Sequence, residues 1–316
     1  MKKILQDLSY IELEELVLSL GEKKFRAKQL YEGLMQGKTI SAISSLSKVF
    51  KERLLEEYED EPVKIKETFY SADGTEKYLF EYADGNLAEG VLMKYKYGYT
   101  QCISTQVGCR MGCKFCASTL NGLVRNLTAG EILSQILVVN ALHKNDVEGK
   151  GKEARAVTNV VLMGSGEPLD NFDNVTKFVK LIQSTDSLNI SPRKISLSTS
   201  GLVDKIYELT NLDLKLTLTI SLHATTDEVR KKIMRVANAY SIRDLMKSLK
   251  YYYEKTNKRI IFEYILLGLN TTDADVRNLK EISKMFDCHF NFIRYNEVKE
   301  SGLEAISEEK IQEFFK

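Results

Sequence analysis

Val160-Val161-Leu162-Met163-Gly164-Ser165-Gly166-Glu167 decides the fold. An unbroken apolar run of this kind reads as a strand covered on both faces, and here a glycine-lined loop and a helical pattern over 172–184 follow it. Strand, tight loop and helix make a βα unit, and the unit recurs along the chain. Before it lies a helix over 128–144; after it come a strand over 194–199, a helix over 202–209 and a strand over 214–221. Helices near 225–233 and 241–255, a strand over 259–266, a helix over 273–286 and a strand over 289–294 complete the series. A further strand near 101–105 brings the count to about six, which predicts an α/β chain with a parallel sheet. Six units suit a partial β/α barrel better than a closed barrel of eight, although an open doubly wound sheet meets the same pattern.

Upstream the periods change. Residues 1–58 form a small helical domain, opened by Ser9-Tyr10-Ile11-Glu12, a capping box ahead of Leu13, Leu16, Val17 and Leu20. Ala27, Leu30, Tyr31, Leu34 and Met35 mark a second helix ending at Gly37, and Leu46, Val49, Phe50 and Leu54 a third. Over 59–97 the period is two, with Asp73-Gly74 and Asp84-Gly85 as turns of a three-stranded meander that links the helices to the β/α part, 98–316. Gly149-Lys150-Gly151-Lys152-Glu153 reads as a flexible loop. The last residues, 311–316, form an amphipathic helical segment with no cap behind it, as if the chain were cut there.

Composition sets limits on function. A formal net charge of +1 gives no global pull toward nucleic acid, so any basic surface is local; Lys23, Lys24, Arg26, Lys28, Lys94 and Lys96 are candidates. The Lys23–Lys28 cluster reads equally as a solvated face. No apolar stretch approaches the roughly 18 residues of a membrane span, and no signal peptide is present, so a cytoplasmic location is expected. The chain has 5 cysteines, an odd number and mostly clustered, which fits metal or redox chemistry in a reducing compartment better than a disulfide framework.

Three of them, Cys109, Cys113 and Cys116, lie in the run Cys-Arg-Met-Gly-Cys-Lys-Phe-Cys. Three thiolates on a four-iron cluster leave one iron free to bind something else. A structural zinc site is the competing reading, with Cys102 as the fourth ligand it would need. Gly108 and Gly112 let the backbone wrap tightly around such a centre, and Phe115 can shield it from water.

The run resembles the cluster motif of the radical S-adenosylmethionine superfamily, down to the aromatic residue before the last cysteine. Four further stretches, Gln101–Cys109, Met163–Leu169, Leu197–Gly201 and Ser221–Ala224, resemble one family within it. That family methylates C2 of an adenine in 23S ribosomal RNA and, in some members, an adenine in tRNA. The resemblance covers the whole chain and implies a partial (βα)6 barrel, TIM-like and of the radical SAM type. It implies Cys109, Cys113 and Cys116 as ligands of one 4Fe-4S cluster. Gly166, Glu167, Ser198, Ser221, Leu222, His223 and Asn296 are implied as contacts to S-adenosylmethionine, used twice per turnover. Glu89 is implied as the proton acceptor, and Cys102 as the thiol that resolves a methylated-cysteine adduct by forming a disulfide. An electron donor such as flavodoxin or ferredoxin and a monomeric state are also expected.

Some residues depart from the family pattern. No cysteine follows Cys288, so the family's C-terminal methyl-carrying cysteine has no counterpart; a truncated chain that retains the cluster site but not methyl transfer is expected. Ser165 stands where a methionine is common, Arg235 where a proline usually follows Met234, and Arg294-Tyr295-Asn296-Glu297 where prolines are usual. Arg294-Tyr295-Asn296 is closer to the sister branch that methylates C8 of the same adenine, which is the alternative function. A zinc-stapled RNA-binding protein without catalysis is the non-enzymatic one.

Overall fold

The computed structural model describes residues 2–96, 98–147 and 155–316, so the expected loop over 149–153 lies outside the described residues. The chain divides into two compact units. Met1–Val107, Asn126–Ser165 and Asp173–Ile195 form the first, and Gly108–Arg125, Gly166–Phe172 and Ser196–Lys316 the second.

In the first unit the three expected helices are α1 Tyr10–Ser19, α2 Lys24–Met35 and α3 Lys48–Glu57. The capping box is present: Glu12 N donates to Ser9 Oγ at 3.3 Å, while Ser9 N donates to the Glu12 carboxylate at 2.7 Å. Leu13, Val17, Leu30, Leu34, Phe50 and Leu54 bury themselves in one shared core, so the helices pack as their own cluster. The meander follows as β1 Val63–Tyr70, β2 Glu76–Tyr82 and β3 Leu87–Tyr95, all antiparallel. β4 Gly98–Cys102 continues it, antiparallel to β3 with Val91 opposite Cys102. The strand expected near 101–105 thus sits earlier, at 98–102, and Ile103 N extends its ladder by donating to Val161 O at 3.0 Å.

β5 Gln106–Gly108 and β6 Leu123–Asn126 are a short two-stranded sheet bracketing the cysteine run. α4 Ala129–Leu142 starts at a second capping box, Thr128 with Glu131, and is buried along most of its length. β7 Val157–Leu162 lies parallel to β4. α5 Phe172–Gln183 follows the glycine loop.

The second unit carries β8 Ile195–Thr199, β9 Thr217–Ser221, β10 Ile260–Leu266 and β11 Cys288–Arg294, successive neighbours and all parallel. Their connections are α6 Val203–Asn211, α7 Asp227–Ile233, α8 Ile242–Thr256 and α9 Asp273–Ser283, with α10 Glu308–Phe314 last. Leu197, Leu218, Ile220, Phe262 and Tyr264 are fully buried, and on β9 Thr219 between Leu218 and Ile220 is fully buried too, so that strand is covered on both faces. The expected strand over 214–221 starts late, at Thr217, because Asp213 and Lys215 take left-handed conformations, φ 49° and 55°. Among the described residues β4 and β7 bring the parallel strands to six, the number expected from the alternation.

Candidate functional site

The cysteine run forms a tight loop in the second unit. Gly108 and Gly112 hold φ of 73° and 66°, conformations that only glycine takes without strain, and Cys109 N donates to Gly122 O at 2.9 Å. Lys114 N donates to Ile233 O at 2.9 Å, tying the loop to the end of α7, and Thr119 Oγ1 donates to Cys116 O at 3.0 Å. Cys109 and Cys113 are buried and Cys116 half-buried, all as free thiols. Burial pushes the Cys109 thiol up to about 11 and Cys113 up to about 12, and each is raised further by Cys116 and by Glu167. Thiols that resist ionising together suit a cationic centre, whose charge removes the repulsion. Beside them is a cavity of about 480 Å³ lined by Cys109, Cys113, Arg110, Lys114, Arg235 and Glu300 among others. No three His, Cys, Asp or Glu side chains among the described residues close on a single-ion position. A four-iron cluster takes each thiolate on a separate iron atom, a demand that three cysteines on one loop can meet.

Glu167 is buried in the same unit. Its Oε1 accepts Leu169 N at 3.0 Å and its Oε2 accepts Ser200 N at 2.7 Å. Burial raises its pKa against those hydrogen bonds, so the carboxylate gains from a cation brought to it. Gly166 before it has φ 105°, closed to other residues. Asp170, three residues on, takes a two-pronged ion pair from Arg110 of the cysteine run, at 2.5 Å for the nearest atoms.

Ser198 lies on β8 opposite Thr219 of β9. Ser221 ends β9, where Leu222 N and His223 N both donate to Glu263 O, at 3.1 and 3.3 Å. Ala224 N then closes an i→i+2 turn on Leu222 O at 2.8 Å, with His223 at its centre and φ 54°. A γ-turn with positive φ is rare and strained, and such strain collects at functional sites. The His223 ring is buried, its edge against the Phe115 ring with centroids 4.6 Å apart. Ile265 N donates to its Nδ1 at 3.0 Å, which leaves the proton on Nε2. Burial first, and the Arg230 charge second, push its pKa down to about 3, so the ring is neutral. Asn296 is exposed in the loop after β11.

Two residues of this unit were missed in the sequence reading. Asn270, fully buried, donates through Nδ2 to His223 O at 2.8 Å and to Ile265 O at 2.7 Å, and accepts Leu267 N on Oδ1 at 2.8 Å. It holds the strained turn in place. Arg230, also fully buried, donates to the carbonyls of Ser200, Ser221 and Leu222. It stands in a run, Arg230-Lys231-Lys232, that reads as surface charge. The available signal was its place three residues before Ile233, on the buried stripe of α7.

Glu89 and Cys102 lie in the first unit, on the paired strands β3 and β4. The Glu89 side chain is exposed and takes an ion pair from Lys77 of β2 at 2.9 Å. Its carbonyl accepts Ser104 Oγ at 2.6 Å, and Ser104 Oγ in turn accepts Ser165 N at 2.8 Å. The Gln135 side chain brackets the Ser104 peptide, accepting its N and donating to its O at 3.0 and 2.9 Å. Burial pushes the Cys102 thiol up to about 11, so it is held protonated at neutral pH. No cysteine is joined to it, and all 5 are free.

The basic candidates are largely spoken for. Lys24 pairs with Glu14 at 2.9 Å, Lys28 with Glu32 at 3.8 Å, and Arg26 donates to Gln29 Oε1 and Ser45 O. Lys94 is a half-buried partner of buried Glu76 at 2.5 Å. Glu76 also meets Tyr78 OH and His143 Nε2, and His143 Nδ1 meets Asp146, in a network that braces the meander against the end of α4. The bland reading of these cations is the better supported.

Parallel strands ending in a cysteine loop, a buried carboxylate and a strained histidine turn define the class, and residues 103–282 match the Radical SAM superfamily. A crystal structure of a radical SAM methyltransferase from Sphaerobacter thermophilus superposes with a TM-score of 0.91 at 33% identity, covering 98% of this chain and 90% of that one. The structure of SuiB from Streptococcus suis bound to S-adenosylmethionine shares the fold, with a TM-score of 0.50 at 15% identity over 68% of this chain and 46% of that one. This is an S-adenosylmethionine-dependent radical methyltransferase with the partial β/α barrel of that superfamily.

The chain is 47% identical over 318 aligned residues to "Probable dual-specificity RNA methyltransferase RlmN" of Clostridium novyi (strain NT), covering 99% of this chain and 90% of the relative. To the protein of the same name from Alkaliphilus oremlandii (strain OhILAs) it is 48% identical, with the same coverage. It belongs to the RlmN family of RNA methyltransferases. Among the described residues no helix is long and apolar enough to cross a membrane.

Proposed function

We propose that the protein methylates C2 of an adenine in 23S rRNA, and of an adenine in tRNA, by radical chemistry. The observation that carries this reading is the near full-length likeness to relatives named as dual-specificity RNA methyltransferases. Cys109, Cys113 and Cys116 hold a 4Fe-4S cluster, with Glu167 and the Gly166 backbone receiving the amino group of S-adenosylmethionine. Ser198, Ser221, Leu222, His223 and Asn296 receive the rest of that molecule. Bound there, with one electron from a donor such as flavodoxin or ferredoxin, the cofactor pair would supply a radical that takes hydrogen from an otherwise inert methyl group.

Glu89 accepts the proton that C2 loses, and its carboxylate is held by an ion pair with Lys77 at 2.9 Å. The Ser104–Gln135 arrangement fixes the Glu89 backbone and thereby the reach of its side chain. Cys102 resolves the sulfur adduct as a thiol nucleophile, after its proton is drawn off against the effect of burial. The family's methyl-carrying cysteine has no counterpart among these 316 residues. The residues account for cofactor binding, proton removal and resolution, and the relay of the methyl group needs a cysteine supplied in addition.

The features that favoured the C8 branch have local explanations. Arg294 makes a two-pronged ion pair with Glu308 at 2.8 Å, and Tyr295 is buried with its hydroxyl on Ser301 at 2.7 Å. Their identities serve packing of the loop that carries Asn296. The test is mass spectrometry of adenosine from 23S rRNA and tRNA of cells without an enzyme of their own. The cells express this chain fused to the cysteine-bearing C-terminal segment of a family member. We expect 2-methyladenosine; 8-methyladenosine, or no methylated product, overturns the reading.

A further inference from the structure

Arg230 is the largest side chain with no exposed surface in the molecule's described residues. A buried guanidinium is normally matched by a carboxylate, because an unpaired charge out of water is costly. Here the hydrogen-bond partners are carbonyls instead. Nε donates to Leu222 O at 3.1 Å, and Nη2 donates to Ser200 O at 2.6 Å and to Ser221 O at 3.2 Å. Of the five N–H donors three are used, and Nη1 is buried with no partner. Asp227, on its own helix, is the carboxylate that acts on it; Arg230 in turn favours ionisation of the Cys113 thiol and disfavours protonation of His223. Burial lowers its own pKa to about 10, which keeps it charged at neutral pH.

These contacts join the strand ends that carry Ser200, Ser221 and Leu222. The carbonyls belong to the ends of the strand loops that follow β8 and β9, and Ser200, one of the three, also donates its N–H to Glu167. The helix bearing Arg230 ends at Ile233, whose carbonyl holds the cysteine loop through Lys114 N. A lysine could not make this cross-brace, since three carbonyls met from two nitrogens need the planar fork of arginine.

We propose that Arg230 is a positioning residue for the cofactor site: it locks the two strand ends together and holds a positive charge, without a carboxylate hydrogen-bonded to it, one helical turn from the Ile233 carbonyl that ties down the cysteine loop, favouring reduction of the cluster. The inference rests on the assignment of Cys109, Cys113 and Cys116 to the cluster. Reduction adds one negative charge beside Arg230, so removing the cation makes the reduced state harder to reach. Brace and charge are separable, because lysine keeps only the charge.

The experiment uses the iron-loaded full chain and Arg230→Lys, Arg230→Gln and Asp227→Asn. It reads the midpoint of cluster reduction by EPR-monitored titration, and S-adenosylmethionine affinity by equilibrium dialysis. Arg230→Gln should shift the reduction equilibrium about tenfold toward the oxidised state, about 59 mV for one electron. Arg230→Lys should hold the midpoint yet weaken S-adenosylmethionine binding at least about tenfold, an effect of lost geometry alone. Asp227→Asn, which can still accept Ile242 N through its amide oxygen, should move the midpoint upward, and it tests the charge if Arg230→Gln does not fold. Equal midpoints in all four proteins, or a lysine variant that binds S-adenosylmethionine as the parent does, overturn the proposal. Failure of the parent chain to take up iron overturns the cluster assignment instead.

Discussion

Gly108 and Gly122 offer a controlled perturbation of the cysteine loop. Both sit at positive φ, 73° and 66°, so alanine at either costs about 1–2 kcal/mol of left-handed backbone strain. Their surroundings differ. A Cβ on Gly122 meets nothing within 4 Å, whereas one on Gly108 runs into the Gly122 carbonyl oxygen that accepts Cys109 N. Gly108→Ala therefore adds a steric cost of about 1–3 kcal/mol and breaks the bond that seats the first thiol. The combined loss is about 2–5 kcal/mol, against about 1–2 for Gly122→Ala. Urea unfolding of both variants gives the stability difference, and iron per chain after anaerobic reconstitution gives the consequence for the site. Gly122→Ala should load iron like the parent and Gly108→Ala should load poorly. Equal iron content in the two, or equal stability, would refute the claim that this close approach builds the loop.

Asn270→Ala leaves the His223 and Ile265 carbonyls and the Leu267 N–H without their side-chain partner, at about 1–3 kcal/mol for each group that water cannot reach. A fall of about 3–5 kcal/mol in urea unfolding is expected, and a change below 1 would mean that the turn holds itself. His223 has a folded pKa of about 3 against 6.5 unfolded, so below pH 6.5 the unfolded chain binds a proton that the native one refuses. Its contribution to stability is intact above pH 6.5 and declines as pH falls toward 3, by up to about 1.4 kcal/mol per unit. Between pH 7 and 5 the parent should lose more stability than His223→Gln; parallel curves would show that the ring is protonated in the fold. In the fused chain Glu89→Gln should cut RNA methylation by about 10²–10⁴ while S-adenosylmethionine cleavage continues, and methylation at the parent rate would exclude Glu89 as the base.

The βα alternation was legible because buried parallel strands such as β7 and β10 are written as apolar runs. The helix starts were legible through local chemistry, as at Ser9 and Thr128, where cap and partner are three residues apart. The start of β9 was not, since Asp213 and Lys215 adopt left-handed conformations, which are uncommon outside glycine. Single-residue roles divided in the same way. The cysteines announce themselves by spacing, but Arg230 and Asn270 act on carbonyls far along the chain, and a backbone carbonyl leaves no mark in a sequence. Lys94 looked free because Glu76, which neutralises it, is 18 residues away on another strand.

The central claim is that Cys109, Cys113 and Cys116 place a reducible cluster where S-adenosylmethionine binds. Its most direct test is 5′-deoxyadenosine release, by liquid chromatography, from the anaerobically iron-loaded, reduced chain given S-adenosylmethionine. The account predicts release from the parent chain, and none from Cys113→Ala folded to the same extent. A parent that binds zinc and releases no 5′-deoxyadenosine, or a Cys113→Ala variant that releases as much as the parent, would contradict it.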